Sequence, residues 1–210
     1  MALKIRMAVA IATLALSWSL QAKTPENFIY TSSGELDAAF PLVTRSDIGG
    51  VQIVYNWRAL EPEKDSYDFS RIERDLARLK AARKRLFIQI QDRFFEADAR
   101  YVPDYLMHDK QYGGGIAPQF DNPGEGKPVG SGWVARQWDP AVRQRYQALL
   151  AALAKRFDGE VYGVNLPETA IDLDEKTPPA GFTCDIYLRE KWKTWPLRAR
   201  LFRNHTWCNT

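Results

Sequence analysis

The sequence predicts an α/β fold built on a parallel sheet, and two observations carry that prediction. Apolar strand segments alternate with helical ones in the order β-α-β-α-β-α-β, and parallel neighbours need a crossover that a helix commonly supplies. The better strands are short runs of alternating or continuous apolar residues, too brief for helices and bounded by turn residues. The order fits half of a closed barrel or a small open sheet equally well, and fold alone does not decide function.

Residues 28–32 form the first strand candidate, followed by a weak helix over 35–44 and a Gly49-Gly50 break. The next strand, 51–57, sets Val51, Ile53, Tyr55 and Trp57 on one face and Gln52, Val54 and Asn56 on the other. Ser70 and Glu73 have the spacing of a capping box opening a helix, and Ile72, Leu76 and Leu79 recur at helical spacing toward basic residues at 80–85. Residues 86–91 give the third strand, with Leu86, Ile88 and Ile90 opposing Phe87, Gln89 and Gln91. A long irregular stretch, 92–138, holds Gly113-Gly114-Gly115, several prolines and many aromatics, and loops of this length are commonly functional or disordered. Asp139 then caps a helix with Pro140 at its first position and a stripe of Val142, Tyr146, Leu149, Leu150, Leu153 and Phe157. The last strand, 161–165, runs into Leu166-Pro167-Glu168.

The start of the chain reads as a signal peptide over 1–22: Lys4 and Arg6 precede an apolar run from Met7, and Ala22 offers a cleavage point. The run is shorter than the roughly 20 residues that cross a bilayer, so no stable membrane anchor is expected, and the location is secreted or periplasmic. Of the formal charge of +3, the first segment carries +2 and residues 189–210 carry +5, which leaves −4 for the body between them. With the basic excess at the ends, no nucleic-acid partner is expected. Two histidines, His108 and His205, give no zinc site by spacing. Cys184 and Cys208 are the only internal disulfide pair available, and we discount it because Cys208 lies in an anomalous tail. Gly124-Glu125-Gly126-Lys127 has the look of a phosphate loop, but Pro128 replaces the Ser or Thr such a loop requires, and it is assigned to loop.

The segment Trp57-Arg58-Ala59-Leu60-Glu61-Pro62 with Tyr67-Asp68-Phe69 resembles the W-x-x-L-E-P-x-x-G-x-Y-D-F block that follows the second strand in the clan of retaining β-glycosidases and β-glycanases. Asp65 stands where that pattern has Gly. The resemblance implies a (β/α)8 TIM-barrel type of fold, truncated to about the first four β/α units over 23–190, since a complete barrel takes about 250 residues. It implies Glu168, at the end of the fourth strand, as general acid/base, without metal or organic cofactor. The clan has Asn directly before this Glu, whereas Asn165 stands three residues earlier, and a local bulge would bring it beside the carboxylate. Independently of the family, a carboxyl at a strand's C-terminal end sits where barrel loops form the site, and glycosidic cleavage needs an acid for the leaving oxygen. Trp57, Arg58, Glu61, Gln91 and Asn165 are candidates to surround the sugar; a core tryptophan and a loop ion pair is the alternative for the first three. The partner implied is a β-linked glycan or oligosaccharide.

From Lys191 onward no apolar period persists, and three of the seven tryptophans fall in the last 22 residues. Read from the third nucleotide of the Lys191 codon, the code permits M-E-D-M-A-A and, three positions later, A-F-P-K-S-H-V-V-Q-Y, a helix, turn and strand. We therefore expect 191–210 to be an aberrant, frameshifted tail, the alternative being a genuine basic extension. The chain would then be an inactive fragment lacking its second carboxylate, or alternatively a non-catalytic exported carbohydrate-binding protein. Two open sheet edges and an apolar face left uncovered predict self-association.

Overall fold

A computed structural model describes residues 25–120, 130–169 and 171–203. The segment 1–22 expected to be a signal peptide, residues 124–128, His205 and Cys208 lie outside them. The main sheet is parallel, in the order β1 (Asn27–Ser32), β2 (Ile48–Asn56), β3 (Arg85–Gln91), β7 (Gly163–Asn165). Helices α1 (Leu36–Val43), α3 (Ser70–Ala81) and α5 (Pro140–Phe157) supply the crossovers, and α2 (Trp57–Leu60) is a single turn after β2. The alternation and strand faces anticipated from sequence hold: Val51, Ile53, Tyr55, Leu86, Ile88 and Ile90 are buried in one core with Ile72, Leu79, Tyr146, Leu149 and Phe157 of the helices.

Local chemistry explains most boundaries. Asp139 caps α5 as expected, its Oδ1 accepting from the Ala141 amide at 2.8 Å, with Pro140 inside the first turn. The capping box at α3 does not form. Asp68 instead accepts from the Ser70 amide at 2.9 Å, and Glu73 turns outward to Arg156. Asp65 has φ of +62°, which accounts for glycine at that place in the resembling motif, since the left-handed region costs a side-chain-bearing residue and glycine little.

Gly49-Gly50 does not break the chain. Both lie within β2, and Gly50 has no room for a side chain there, since a Cβ would strike the Phe28 ring and the Arg85 carbonyl of the flanking strands. Gly163 likewise makes room for the Phe87 ring. Phe28, Phe87 and Tyr162 pack as an aromatic cluster, centroids 4.9–5.3 Å apart, beneath the Arg85 guanidinium. Gly163→Val is expected to push Phe87 out of that cluster and cost about 1–3 kcal/mol, read as a lowered urea midpoint. Above this floor Gln52 donates to Gln89, and Asn165 donates to Gln52 at 2.7 Å. The sheet face turned away from the helices, anticipated as apolar, is therefore aromatic below and amide-lined above.

The 92–138 stretch is not irregular throughout. It contains β4 (Arg93–Phe94), α4 (Asp104–His108), a 3-10 turn at Lys110–Tyr112, β5 (Ile116–Phe120) and β6 (Gly130–Ala135). These strands form an antiparallel sheet ordered β4-β6-β5. Pro118 is tolerated because β5 is an edge strand. The last helix, α6 (Cys184–Leu201), runs without interruption across residue 190, where the sequence loses its apolar period. Its buried side is Tyr187, Glu190, Thr194 and Arg198, and three of these meet polar partners: Glu190 pairs with Arg143, Gln147 donates to Thr194 Oγ1, and Arg198 donates to the Val164 carbonyl at 3.0 Å. Among the described residues no helix is long and apolar enough to cross a membrane.

Candidate functional site

The C-terminal ends of β1, β2 and β3 open onto one groove of about 530 Å³. Its walls come from Tyr30 and Ser32 of β1, Asn56 of β2, Gln91 of β3, and Arg93, Phe95, Glu96 and Tyr101 of the segment after β3. Phe95, at 55% exposure, is presented to solvent, while Arg93 is 2% exposed with its Nη1 unpartnered among the described residues. An exposed ring beside amide, guanidinium and carboxylate groups can hold an apolar face and hydrogen-bond the polar edges of the same ligand.

The residues proposed from sequence separate into three places. Gln91 lines the groove. Trp57 and Glu61 lie behind it, both 0% exposed. The Trp57 indole donates to Glu61 at 2.8 Å, its ring meets Tyr146 edge-on, and Glu61 also accepts from the Asp65 amide and pairs with Arg145. Arg145 donates further to the Tyr105 hydroxyl at 2.9 Å and pairs with Asp65 at 2.8 Å. Burial works against the Arg145 charge, but the bonds to Tyr105, Glu61 and Asp65 outweigh it and hold the guanidinium pKa above its ordinary value. Buried this way, Trp57 has no free face for a sugar. Arg58 is exposed and ties its loop to Asp104 at 2.7 Å. These three residues build the loop that carries the groove.

Glu168 is exposed, directly after buried Pro167 and three residues beyond the end of β7. The register of β7 on β3 runs unbroken through Asn165 opposite Gln89, so no bulge in the strand brings Asn165 forward, and its amide is engaged with Gln52. The negative charge of Glu168 is felt by Tyr187 and Lys191. Burial, with help from Asp92 and Glu168 and against Arg93, pushes the Tyr187 hydroxyl up to about 12. Burial lowers the Lys191 pKa, opposed by the nearby Asp92 carboxylate.

A buried ionic cluster that the sequence reading did not single out joins these pieces. Asp92, the residue after β3, is 0% exposed and accepts from Arg93 Nε at 3.2 Å, from Gln137, and from Lys191 at 3.4 Å. Arg93 Nη2 donates to the Tyr187 hydroxyl at 3.3 Å. Burial alone would raise the Asp92 pKa, but Lys191 and Arg93 hold the carboxyl below its ordinary range. The available signal was position: an Asp-Arg pair at the C-terminal end of a strand of a parallel sheet stands where such folds place their sites. Among the described residues no group of His, Cys, Asp and Glu is arranged to hold a metal ion.

No family model matches the sequence, and no curated protein does. Solved structures do. A GH10 endoxylanase retrieved from a sugarcane soil metagenome matches at 11% identity and TM-score 0.52, over 86% of this chain and 46% of that one. A β-galactosidase from Halorubrum lacusprofundi matches at 13% and 0.54, over 85% and 35%. GH5_18 from Bifidobacterium longum, in complex with Manb1-4GlcNAc, matches at 9% and 0.53, over 86% and 42%. The chain thus spans less than half the length of these structures, and what it shares with them is the fold: four β/α units of the (β/α)8 barrel found in glycoside hydrolases.

Proposed function

We propose that this chain is part of an exported carbohydrate-active protein of the retaining glycoside hydrolase type, whose groove at the ends of β1, β2 and β3 takes a β-linked glycan and in which Glu168 is the general acid/base. The observation that carries the reading is the groove itself, with Phe95 exposed among Asn56, Gln91, Arg93 and Glu96 at the C-terminal mouth of a barrel-type sheet. The encoded chain is expected to bind glycan without cleaving it. A retaining mechanism needs a second carboxylate about 5 Å from the first, and among the described residues Asp92, a second carboxylate at a main-sheet strand end, is fully buried and committed to Arg93 and Lys191.

Titration with β-1,4-linked mannan and xylan oligosaccharides, read by intrinsic fluorescence, is expected to show saturable binding. Phe95→Ala should weaken it about tenfold, the worth of one ring contact. Saturation by neither series would remove the groove from consideration. Resequencing codons 185–210 and the region downstream tests the frameshift: an alternative frame that stays open and supplies further strand-helix units supports it, and one that closes at once refutes it. A second reading, glycan binding without any catalysis, draws on Glu168 lying outside the groove lining. In a frame-restored protein, turnover abolished by Glu168→Gln with affinity retained supports the first reading; no turnover before the substitution supports the second.

A further inference from the structure

Six large apolar side chains stand exposed among the described residues, and five of them belong to the two end units of the main sheet. Tyr30 (62%) and Leu42 (55%) lie in β1 and α1, while Leu188 (47%), Trp192 (66%) and Trp195 (44%) lie in α6 beside β7. Ordinary surfaces scatter such residues singly, and concentration at two edges marks contact surface.

On α1, Asp37 and Phe40 face α3 through Arg78, and Leu42 lies about 200° further round the helix from Phe40, on the flank turned away from α3. On α6, Leu188, Trp192 and Trp195 recur at i, i+4 and i+7, so they share one flank. Gln147 and Arg143 of α5 line the opposite flank with Lys193, Pro196 and Leu197. The tryptophan flank instead borders Leu166 and Pro167, past the end of β7. Both apolar flanks therefore point outward from the ends of the sheet, where no other part of the described chain covers them.

The two ends also carry opposite charge. Residues 27–44 hold Glu35 and Asp37 and no basic residue, a net −2; α6 holds five basic and two acidic residues, a net +3. Two copies related by a twofold axis would set α6 of each against α1 of the other, joining opposite charges twice, whereas the reversed pairing of like ends would bring +3 against +3. Arg198 already occupies the Val164 carbonyl, so the contact runs through the helices and not through added strand pairing at β7.

We propose that the chain associates as a closed dimer in which the Leu188, Trp192 and Trp195 flank of one copy packs on the Leu42 flank of the other, the two sheet faces left uncovered by the helices turned toward each other. This assignment rests on the fold and its edges and stands independently of the glycan reading.

The test is light scattering on the full 210-residue chain across a dilution series. The expected result is a mass twice the 24.0 kDa of one chain, falling toward one on dilution, with tryptophan emission moving to the red as Trp192 and Trp195 are uncovered. Leu42→Lys, at a half-exposed site, should raise the dissociation constant by at least about tenfold with an unchanged circular dichroism spectrum. Trp192→Glu should do the same. A single-chain mass at every concentration with native dichroism overturns the proposal. So does a mass that climbs past two chains, which signals open head-to-tail growth, or a dimer indifferent to Leu42→Lys.

Discussion

Exchanging Arg145 for methionine is expected to destabilise the fold by about 3–5 kcal/mol, as removal of one member of a buried ion pair does. Its partner Glu61 is fully buried, and beyond the guanidinium it accepts from the Trp57 indole and the Asp65 amide. Without Arg145 the buried carboxylate loses its counter-ion, and the tie from the loop after α2 to α5 and Tyr105 is lost. The double variant Arg145→Met, Glu61→Gln should recover part of the loss, because a neutral amide can keep the indole and backbone donors satisfied. Urea unfolding of the three proteins checks this, and a loss below about 1 kcal/mol for the single variant would mean the pair is hydrated in solution.

The second large effect centres on Asp92. Asp92→Asn leaves Arg93 and Lys191 as buried positive charges without their shared counter-ion, again a cost of about 3–5 kcal/mol. The same carboxyl makes stability depend on acid. Its folded pKa lies below the unfolded value of 3.8, so the unfolded state binds more protons in that window. The contribution is complete above the unfolded value and is lost as pH falls through the folded one. Lys191→Met withdraws the first of the charges that lower it, so the acid-unfolding midpoint should move to higher pH. An unmoved midpoint would locate the acid sensitivity in another carboxylate.

What could be read from the sequence was local. Helix α5 was legible to the residue because Asp139, Pro140 and the apolar stripe each act within one or two turns. The strand faces of β2 and β3 followed from alternation alone. The sheet β4-β6-β5 was not legible, because its pairing is set by contacts distant in sequence: Phe94 opposite Trp133, and Trp133 donating to the Ala97 carbonyl under the Arg100 guanidinium. Helix α6 escaped for a different reason. It buries Glu190 and Arg198, and a periodicity search counts buried charge as surface even where Arg143 and the Val164 carbonyl compensate it. Strand alternation puts Gln91 at the C-terminal end of β3, where it lines the groove, whereas the burial of Trp57 turned on a bond to Glu61 that spacing permits but cannot require.

The belt formed by Gln52, Gln89 and Asn165 has a consequence for how the sheet assembles. Each amide comes from a different strand: Gln89 and Asn165 are register partners, and Gln52, opposite Phe87, reaches both side chains diagonally. Slip any one strand by a single residue and an aliphatic side chain turns inward while an amide is carried into the oily layer under the helices, unsolvated and without a bonding partner, at about 1–3 kcal/mol per stranded group. Parallel strands meet late and over long loops, with ample opportunity for error. The three amides act as a proofreader during folding, making a misaligned sheet unstable enough to come apart and try again.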